Sequence, residues 1–414
     1  MSDKRLRLLC LLPFPPRLDA TDGGGRIAAQ LLAQLSVRHR IALLYLRAPV
    51  DPPLDPVLQN RCEVAQEVMR PNPGFSLAAG WARGMSLLRG WPLWVAGCSV
   101  SAFSAQVKAL TRTWRPDIVQ IEFHVMGQYL LALDGCPAPC VLTQHEPGTA
   151  AARDRSQFSH GIMRAIRYWD MLAWERFERA ILKRVQAIVV FTERDRRAVS
   201  EVVSDTPITV VPFGPTLSNL PGTRLGEEPL DLLFVGNFKH PPNSDAAIRL
   251  ASGIFPRVQA HVPAARLHIV GDQPTASMRE FASDAIRVTG RVPEVIPYLH
   301  RAAVVVVPLR MGGGMRVKVV EALAAGKAVV ASRLAVEGLN VVHQRDIVLA
   351  ETDEQFADAV VQLLSHPEER AALADRAGAW AQRNLGWDRS IAAYETLYES
   401  LLPRSEVASL PAKS

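Results

Sequence analysis

The residues best suited to chemistry stand together between positions 302 and 338, in the stretch AAVVVVPLRMGGGMRVKVVEALAAGKAVVASRLAVEG. An apolar run over 302–309 predicts one buried strand. Gly312, Gly313 and Gly314 follow it, and a helical pattern then covers 315–325. A helix amino terminus offers unpaired N–H groups and partial positive charge, and glycine lets a ligand approach the backbone closely. The spacing therefore predicts an anion-binding helix start.

Two basic side chains support this prediction. Arg316 and Lys318 lie in the first helical turn, where positive charges normally oppose the helix dipole. A second apolar run, 328–331, completes a β-α-β unit. In an open parallel sheet, ligands bind where the first strand of such a unit ends. Cations at this position are favourable when an anion binds in front of them.

The pattern Gly-Gly-Gly-x-Arg-x-Lys-x-x-Glu-Ala-x-Ala-x-Gly-Lys-x-Val-Val, followed by Glu337-Gly338, resembles a known enzyme family. It is similar to the retaining GT-B glycosyltransferases of the sucrose-synthase and mannosyltransferase-like family (glycosyltransferase family 4, group 1). The resemblance is specific over 230–402 and mainly topological over 1–215. It implies an α/β protein with two Rossmann-like, doubly wound parallel-sheet domains facing across a cleft. It also implies a nucleotide-diphosphate sugar in that cleft.

The resemblance assigns the ribose hydroxyls to Glu321 and the diphosphate to nearby cations. Lys239 follows the strand 230–235, where many members carry an Arg and a Lys, which shifts phosphate binding towards Arg316 and Lys318. Asn243 is predicted to cap the next helix. The donor-binding residues implied are Gly236, Lys239, Gly290, Val292, Gly312, Gly313, Gly314, Met315 and Glu321. One departure concerns Gly313, because many members have a glutamate there that contacts the donor sugar.

Polar residues also end two predicted strands of the first half. Glu122 and His124 close the strand 116–124, and His145 follows the strand 138–144. Carboxyl ends of successive parallel strands converge on one edge of a sheet. In the resembled family a histidine after the second of these strands lies beside the donor sugar. The resemblance therefore gives His145 a catalytic role together with Arg316 and Lys318, and makes Glu122 and His124 acceptor-side candidates. A purely structural histidine is the alternative.

A second glycine-rich helix start follows the first predicted strand. Gly23, Gly24 and Gly25 open a helix after the strand 6–12. The resemblance places this loop on the acceptor side of the cleft, near the phosphates. A plain flexible turn is the alternative, and a Walker loop is excluded because no Gly-Lys-Ser/Thr follows.

Length and composition agree with two domains. A chain of 414 residues is too long for one ordinary core. We expect a first domain over 1–215, a linker over 216–229 and a donor domain over 230–386, and the resemblance implies a terminal helix, 387–402, that returns to the first domain. No uncharged apolar run reaches the ~18 residues of a membrane helix. The five scattered cysteines favour reduced thiols in a cytoplasmic protein.

Charge and tryptophan distribution raise the question of a membrane surface. Residues 1–215 carry 26 Lys and Arg against 19 Asp and Glu, a net charge of +7. Trp81, Trp91 and Trp94 are interleaved with arginines in 75–100, which suits a membrane interface or a hydrophobic acceptor channel. A helical hairpin packed on the sheet is the alternative. A long helix over 153–184 is predicted to bury an apolar stripe that consists of Ile162, Ile166, Trp169, Leu172, Phe177 and Ile181.

These observations predict a glycosyltransferase that uses a nucleotide-diphosphate sugar as co-substrate and has no other cofactor. No Asp-x-Asp occurs and the histidines are dispersed, so no metal is expected. The expected partners are the donor and a glycan, lipid-linked or natural-product acceptor, with peripheral contact to a membrane and no nucleic acid. Two alternatives stay open: another enzyme of the same fold, such as an epimerase, and a non-catalytic binding module, which the missing glutamate at Gly313 would permit.

Overall fold

The computed structural model describes residues 5–20, 23–70, 84–86, 88–157, 161–211, 213–215, 226–312 and 317–403. These residues form two parallel β-sheets covered by helices. The expected α/β class with two Rossmann-like sheets is confirmed. The predicted linker is outside the described residues from 216 to 225, and the domain boundaries stay a prediction.

Within the described residues, the first sheet has seven strands, and every neighbouring pair is parallel. They are β1 (Arg7–Leu12), β2 (Arg40–Arg47), β3 (Val64–Met69), β4 (Ile118–Glu122), β5 (Cys140–Thr143), β6 (Ala187–Val190) and β7 (Ile208–Val210). Their order is β3-β2-β1-β4-β5-β6-β7, so the winding reverses between β1 and β4. A parallel sheet needs helices on both faces, which explains the nearly continuous apolar runs of β1 and β2.

The second sheet repeats this arrangement with six parallel strands in the described part of the chain. They are β8 (Asp231–Val235), β9 (Arg266–Val270), β10 (Ile286–Val288), β11 (Val304–Val307), β12 (Ala328–Ala331) and β13 (Val348–Leu349). The order β10-β9-β8-β11-β12-β13 reverses the winding between β8 and β11. Each sheet therefore has one switch point, where a crevice opens at the carboxyl ends of the strands.

Helices connect the strands, and their bounds are as follows. The first half has α1 (Gly23–Arg38), α2 (Pro56–Arg61), α3 (Leu93–Gly97), α4 (Ser101–Thr113), α5 (Gly148–Gln157), α6 (Gly161–Leu182) and α7 (Glu193–Ser200), with a 3₁₀ segment at His124–Leu133. The second half has α8 (Pro241–Arg249), which continues through a π turn (Leu250–Ile254) into α9 (Phe255–His261), then α10 (Ala276–Arg279), α11 (Ile296–Arg301), α12 (Val317–Ala324), a 3₁₀ turn (Arg333–Val336), α13 (Asp353–Ser365), α14 (Pro367–Asn384) and α15 (Trp387–Leu401).

The segment 153–184 differs from the single buried helix that its pattern predicts. It divides into the end of α5 and the whole of α6, and only the carboxyl-terminal half of α6 lies over the first core, through Phe177 and Ile181. Ile162, Ile166 and Trp169 are exposed. The prediction of one continuous core stripe is wrong because helical periodicity identifies an apolar face but not how far the neighbouring sheet extends.

One short strand was not evident in the sequence. The residues 49–73 are interrupted by prolines and predict little regular structure, yet they contain α2 and the edge strand β3. An edge strand has one paired side and alternates buried with exposed residues, so its hydrophobic signal is weak.

The last helix, α15, crosses to the first sheet. Its residues Ile391, Tyr394, Leu397 and Tyr398 belong to the first hydrophobic core. At its start, the Trp387 Nε1–H donates to the carbonyl oxygen of Pro215 over 3.1 Å. This helix therefore ties the end of the chain to its amino-terminal half. Among the described residues, none of the helices combines the length and apolar character needed to cross a membrane.

Gly271 provides a test of the second sheet. Its φ is +147°, and a Cβ atom there would lie 1.8 Å from the carbonyl oxygen of Gly236. We expect Gly271→Ala to lower the free energy of unfolding by about 2 kcal/mol or more, because the loops after β8 and β9 must separate. Chemical denaturation checks this, with Gly97→Ala as the control, since a Cβ at Gly97 meets nothing within 4 Å. Equal stability of the two variants would contradict the close approach.

Candidate active site

The carboxyl-end loops of the two sheets face each other. Helix α1 begins after β1 at the first switch point, and α12 follows β11 at the second. Their starts approach so closely that a Cβ atom on Gly23 would lie 3.0 Å from Cγ2 of Val317. An apolar cluster that includes Ile27, Phe191 and Val320 packs between the two halves. The cleft therefore contains two helix amino termini from opposite sheets.

Gly23, Gly24 and Gly25 form the first turn of α1, and the next residue, Arg26, reaches across the cleft. Its Nη1 lies 3.0 Å from Oε1 of Glu321 on α12. Both side chains are largely buried, with exposed fractions of 14% and 3%. A pair this buried needs good geometry to compensate for lost hydration. Arg26 was missed at the sequence level, although its place after three glycines at a helix start was a usable signal.

Gly312 is held by residues from the opposite half. Its N–H donates to Oδ2 of Asp154 over 3.3 Å, and its carbonyl oxygen accepts from Nη1 of Arg194 over 2.6 Å. Arg194 also pairs with Asp154 at 3.0 Å and with Glu337 at 3.5 Å. Gly312, the first residue of the glycine loop, is therefore held in place by the amino-terminal half of the chain. Gly313, Gly314, Met315 and Arg316 lie outside the described residues, so their predicted roles remain predictions.

Lys318 lies in the first described turn of α12 and contacts the loop after β8. Its Nζ donates to Oδ1 of Asn243 over 2.5 Å and lies 5.2 Å from the centroid of the Phe234 ring. Asn243 in turn donates to the carbonyl oxygen of Asn237 over 2.9 Å. The expected capping role of Asn243 is wrong, because α8 begins two residues earlier, at Pro241. The asparagine instead links the Lys318 ammonium to the loop that carries Gly236.

The remaining donor-side candidates lie around the same crevice. Gly236 and the exposed Lys239 belong to the loop after β8. Gly290 and Val292 follow β10, the edge strand, and Gly290 accepts a hydrogen bond from Oγ1 of Thr289 through its carbonyl oxygen. The loop after β8 lies at the switch point, whereas Gly290 and Val292 lie at the same edge of the sheet two strands away, and the role of each residue is untested.

His145 and Glu122 form a hydrogen-bonded pair at the end of β4 and β5. Nε2 of His145 lies 2.7 Å from Oε2 of Glu122, whose side chain is fully buried. The imidazole stacks on Phe123 with ring centroids 3.8 Å apart and an angle of 6°. Phe123 has φ of +68°, a strained conformation for an aromatic residue, and strain of this kind concentrates at functional sites. Nδ1 of His145 is buried and has no hydrogen-bond partner among the described residues.

His124, the other acceptor-side candidate, is enclosed by tryptophans. Its ring centroid lies 5.5 Å from that of Trp94 and 4.7 Å from that of Trp174. Neither ring nitrogen has a hydrogen-bond partner among the described residues. Burial lowers the pKa of His124 to about 3, so the ring is neutral above that pH. His124 is therefore an apolar-lined, uncharged neighbour of the His145 site.

A buried carboxylate holds the loop that carries His145. Glu178 of α6 accepts hydrogen bonds from the backbone N–H groups of Gly148 and Thr149 and from the side chain of Gln144. Burial raises the pKa of Glu178, while these hydrogen bonds act in the opposite direction. Because the bonded residues flank His145, Glu178 fixes both ends of its loop. Among the described residues, no group of three or more His, Cys, Asp or Glu side chains is arranged to hold a metal ion.

Two family models match the chain. A glycosyl transferase 4-like domain matches residues 22–214, and the glycosyl transferases group 1 model matches residues 229–366. Together these matches cover most of the sequence. None of the curated proteins searched matches the chain at a significant level.

Solved structures of similar architecture include three that align over nearly their whole length. Sucrose-phosphate synthase from Thermosynechococcus elongatus has 17% identity and a TM-score of 0.69, covering 95% of this chain and 99% of that one. A glycosyltransferase from Rickettsia africae has 12% identity and a TM-score of 0.65, covering 97% and 100%. HepE from Anabaena, solved with UDP and glucose, has 11% identity and a TM-score of 0.64, covering 96% and 99%. At these identities the likeness establishes the fold, whereas the family matches identify the class of enzyme: the chain belongs to the group 1 (family 4) glycosyltransferases of the GT-B fold.

Proposed function

We propose that this enzyme is a retaining, metal-independent glycosyltransferase that moves a sugar from a nucleoside diphosphate to a glycan or lipid-linked acceptor. The observation that carries the proposal is the convergence of two glycine-rich helix starts from opposite sheets, with Glu321 paired to Arg26 between them. Helix amino termini bind anions, and a carboxylate accepts hydrogen bonds from sugar hydroxyls. Support for the donor class comes from HepE, which was solved with UDP and glucose.

The chain's own cations suit a leaving diphosphate. Lys318 lies at the start of α12, and Arg26 lies opposite it on α1. Fixed positive groups around developing charge are commonly the largest catalytic contribution, and they need no metal ion. Arg316 is proposed to act with them. Closure of the two halves excludes water from the reacting sugar.

His145 is proposed to orient and polarise the reacting groups on the acceptor side. We assign it a neutral ring whose Nε2–H donates to the carboxylate of Glu122, because a carboxylate ion only accepts hydrogen bonds. Nδ1 then carries the lone pair and can accept a hydrogen bond from a sugar hydroxyl. In a front-face, retaining reaction the leaving phosphate takes the acceptor proton, and His145 needs only to hold the hydroxyl in place.

The acceptor side continues into an exposed apolar and basic surface, which we propose contacts an anionic membrane. It consists of Leu93 and Trp94 on α3 and of Ile162, Met163, Arg164, Ile166, Tyr168 and Trp169 on α6, with the half-buried Arg167 among them. Trp and Tyr beside aliphatic residues and arginines are typical of a bilayer interface. Trp94 contacts both Trp174 and His124, so the surface leads towards the cleft. A lipid-linked acceptor could enter the site along it.

The first prediction concerns the donor. Nucleotide titrations monitored by thermal shift, with UDP, GDP, ADP, CMP and dTDP, should show stabilisation by one diphosphate that EDTA does not change. Glu321→Gln should raise the dissociation constant of that nucleotide about tenfold or more, because a charged hydrogen bond to the ribose is lost. The control is Glu63→Gln, which removes an exposed carboxylate paired with Arg40. Unchanged affinity in Glu321→Gln would remove the ribose role, and EDTA sensitivity would contradict metal independence.

The second prediction separates catalysis from binding. His145→Gln should lower release of nucleotide from the sugar donor by about 100-fold while donor affinity is kept, since misplacing a reacting group by about 1 Å costs on that scale. His268→Gln is a matched control. His268 on β9 also pairs with a buried carboxylate, Asp231, at 3.0 Å, but Asp231 lies at the amino end of β8, away from the carboxyl ends of the strands. Donor binding without turnover in the unmodified protein would instead support the binding-module alternative. Full turnover in His145→Gln would exclude its catalytic role.

The third prediction concerns the membrane. The protein should sediment with vesicles that contain phosphatidylglycerol and less with pure phosphatidylcholine. Ile166→Glu combined with Trp169→Glu should abolish this binding, because two charges replace interfacial apolar contacts. The matched control, Val37→Glu with Val50→Glu, changes two other exposed apolar residues and should bind normally. Loss of a dimer in the first variant, with no vesicle binding by the unmodified protein, would identify a second copy as the occupant instead.

A further inference from the structure

A chain of buried polar side chains runs from the terminal helix α15 to His145. The Tyr398 hydroxyl donates to Oε1 of Gln120 over 2.9 Å, and Nε2 of Gln120 donates to Oε1 of Glu122 over 2.7 Å. The other oxygen of Glu122 lies 2.7 Å from Nε2 of His145. The hydrogen bonds therefore continue without a gap from the last helix to the candidate catalytic histidine.

A parallel branch supports the same amide. The second N–H of Gln120 donates to Oγ1 of Thr143 over 2.8 Å, and that oxygen lies 3.2 Å from the hydroxyl of Tyr394. Gln120 and Glu122 share a face of β4, and Thr143 pairs with Glu122 in the register of β5. Strand geometry thus places all three polar groups on the face covered by α15.

These residues occupy positions where an apolar side chain would be expected. Gln120, Glu122 and Thr143 lie in the centre of an all-parallel sheet and are fully buried. Burying polar groups costs free energy unless each is hydrogen-bonded, and the hydrogen bonds above satisfy that requirement. Apolar side chains would fill the same buried space without this requirement. The chain of polar side chains therefore points to a role at the site that it reaches.

The direction of the hydrogen bonds follows from the carboxylate at one end of the chain and the tyrosine hydroxyl at the other. Burial raises the pKa of both Tyr394 and Tyr398, so each keeps its proton. A donated O–H from Tyr398 requires the oxygen of the Gln120 amide on its side and leaves the NH₂ group for Glu122 and Thr143. The reverse orientation would place the amide oxygen against the carboxylate of Glu122. Because a hydroxyl can donate or accept, the carboxylate of Glu122, which only accepts, selects this orientation of the amide, and the O–H of Tyr398 completes it by donating to the amide oxygen.

We propose that Tyr398, supported by Tyr394, is a positioning residue for the transfer reaction. By donating to the oxygen of Gln120 it keeps the amide NH₂ group on the carboxylate of Glu122, and that carboxylate holds His145 as the tautomer with the proton on Nε2 and the lone pair on Nδ1. This inference rests on the proposed role of His145. It also means that the docking of α15, which starts at the junction of the two halves through Trp387, contributes to the state of the histidine.

The test uses Tyr398→Phe in the full-length protein, with Tyr129→Phe as the matched control. Tyr129 is also buried, and its hydroxyl bonds the carbonyl oxygen of Cys98 and the N–H of Val100, which lie outside the chain of hydrogen bonds to His145. Tyr398→Phe should lower kcat about threefold to tenfold, the effect of one hydrogen bond, with the KM for the donor unchanged. Tyr129→Phe should change neither. Unchanged kcat in Tyr398→Phe would overturn the proposal.

A double-mutant cycle tests whether the tyrosine acts through the histidine. In the His145→Gln background, Tyr398→Phe should have no further effect on kcat, because residues acting as a unit are not additive. Additive losses of kcat would show a general structural effect and would overturn the proposal that Tyr398 acts through His145. If His145→Gln keeps full turnover, the proposed role of His145 fails, and the next measurement still tests the hydrogen-bond chain.

That measurement is a long-range ¹H–¹⁵N spectrum of histidine-labelled protein, with the His145 signals assigned by their absence in His145→Gln. The unmodified protein should show the Nε2–H tautomer. Tyr398→Phe should shift these ring-nitrogen signals, and Tyr129→Phe should leave them in place. An Nδ1–H tautomer, or ring-nitrogen signals that are the same in Tyr398→Phe and in the unmodified protein, would overturn the proposal whatever the activity.

Discussion

Parallel strand pairing is the constraint on which the site depends. Because all strands of each sheet run in one direction, their carboxyl ends meet on one edge, and the winding reversals open a crevice there at β1/β4 and at β8/β11. Arg26 comes from the helix after β1, Glu122 and His145 come from the ends of β4 and β5, and Lys318 and Glu321 come from the helix after β11. The second edge faces the first, so residues separated by about three hundred positions can pair directly.

Beside the apolar cluster, several contacts across the cleft are polar and at least partly buried. The pair formed by Arg26 and Glu321 is almost inaccessible, and both backbone groups of Gly312 are bound by Asp154 and Arg194 from the opposite half. Charged pairs of this type contribute less to stability than to fixing one arrangement, because lost hydration offsets their attraction. A ligand that takes over these hydrogen bonds can replace the contacts at modest net cost. The contacts across the cleft are therefore compatible with exchange of substrates.

The region around His145 is built differently, from a continuous buried network rather than from surface loops. Glu178 holds the loop on one side, and Glu122 and Gln120 connect it to α15 on the other. In a low-dielectric interior each of these bonds is strong, and an unpaired member would be costly. Such a network specifies one geometry, which suits the orienting role proposed for His145.

The sequence by itself determined the repeated strand–helix pattern, both glycine-rich helix starts and the places of His145, Lys318 and Glu321, because periodicity and strand ends are local properties. Only the tertiary structure decided which residues meet. Arg26 and Glu321 pair because the two edges face each other, and Tyr398 reaches Gln120 because α15 returns to the first sheet. The same limit explains why the exposure of Ile162, Ile166 and Trp169 was not predicted. Their helical spacing defines an apolar face, but their exposure depends on where the sheet beneath α6 ends. Long-range pairing and the extent of a neighbouring surface are not encoded in local spacing.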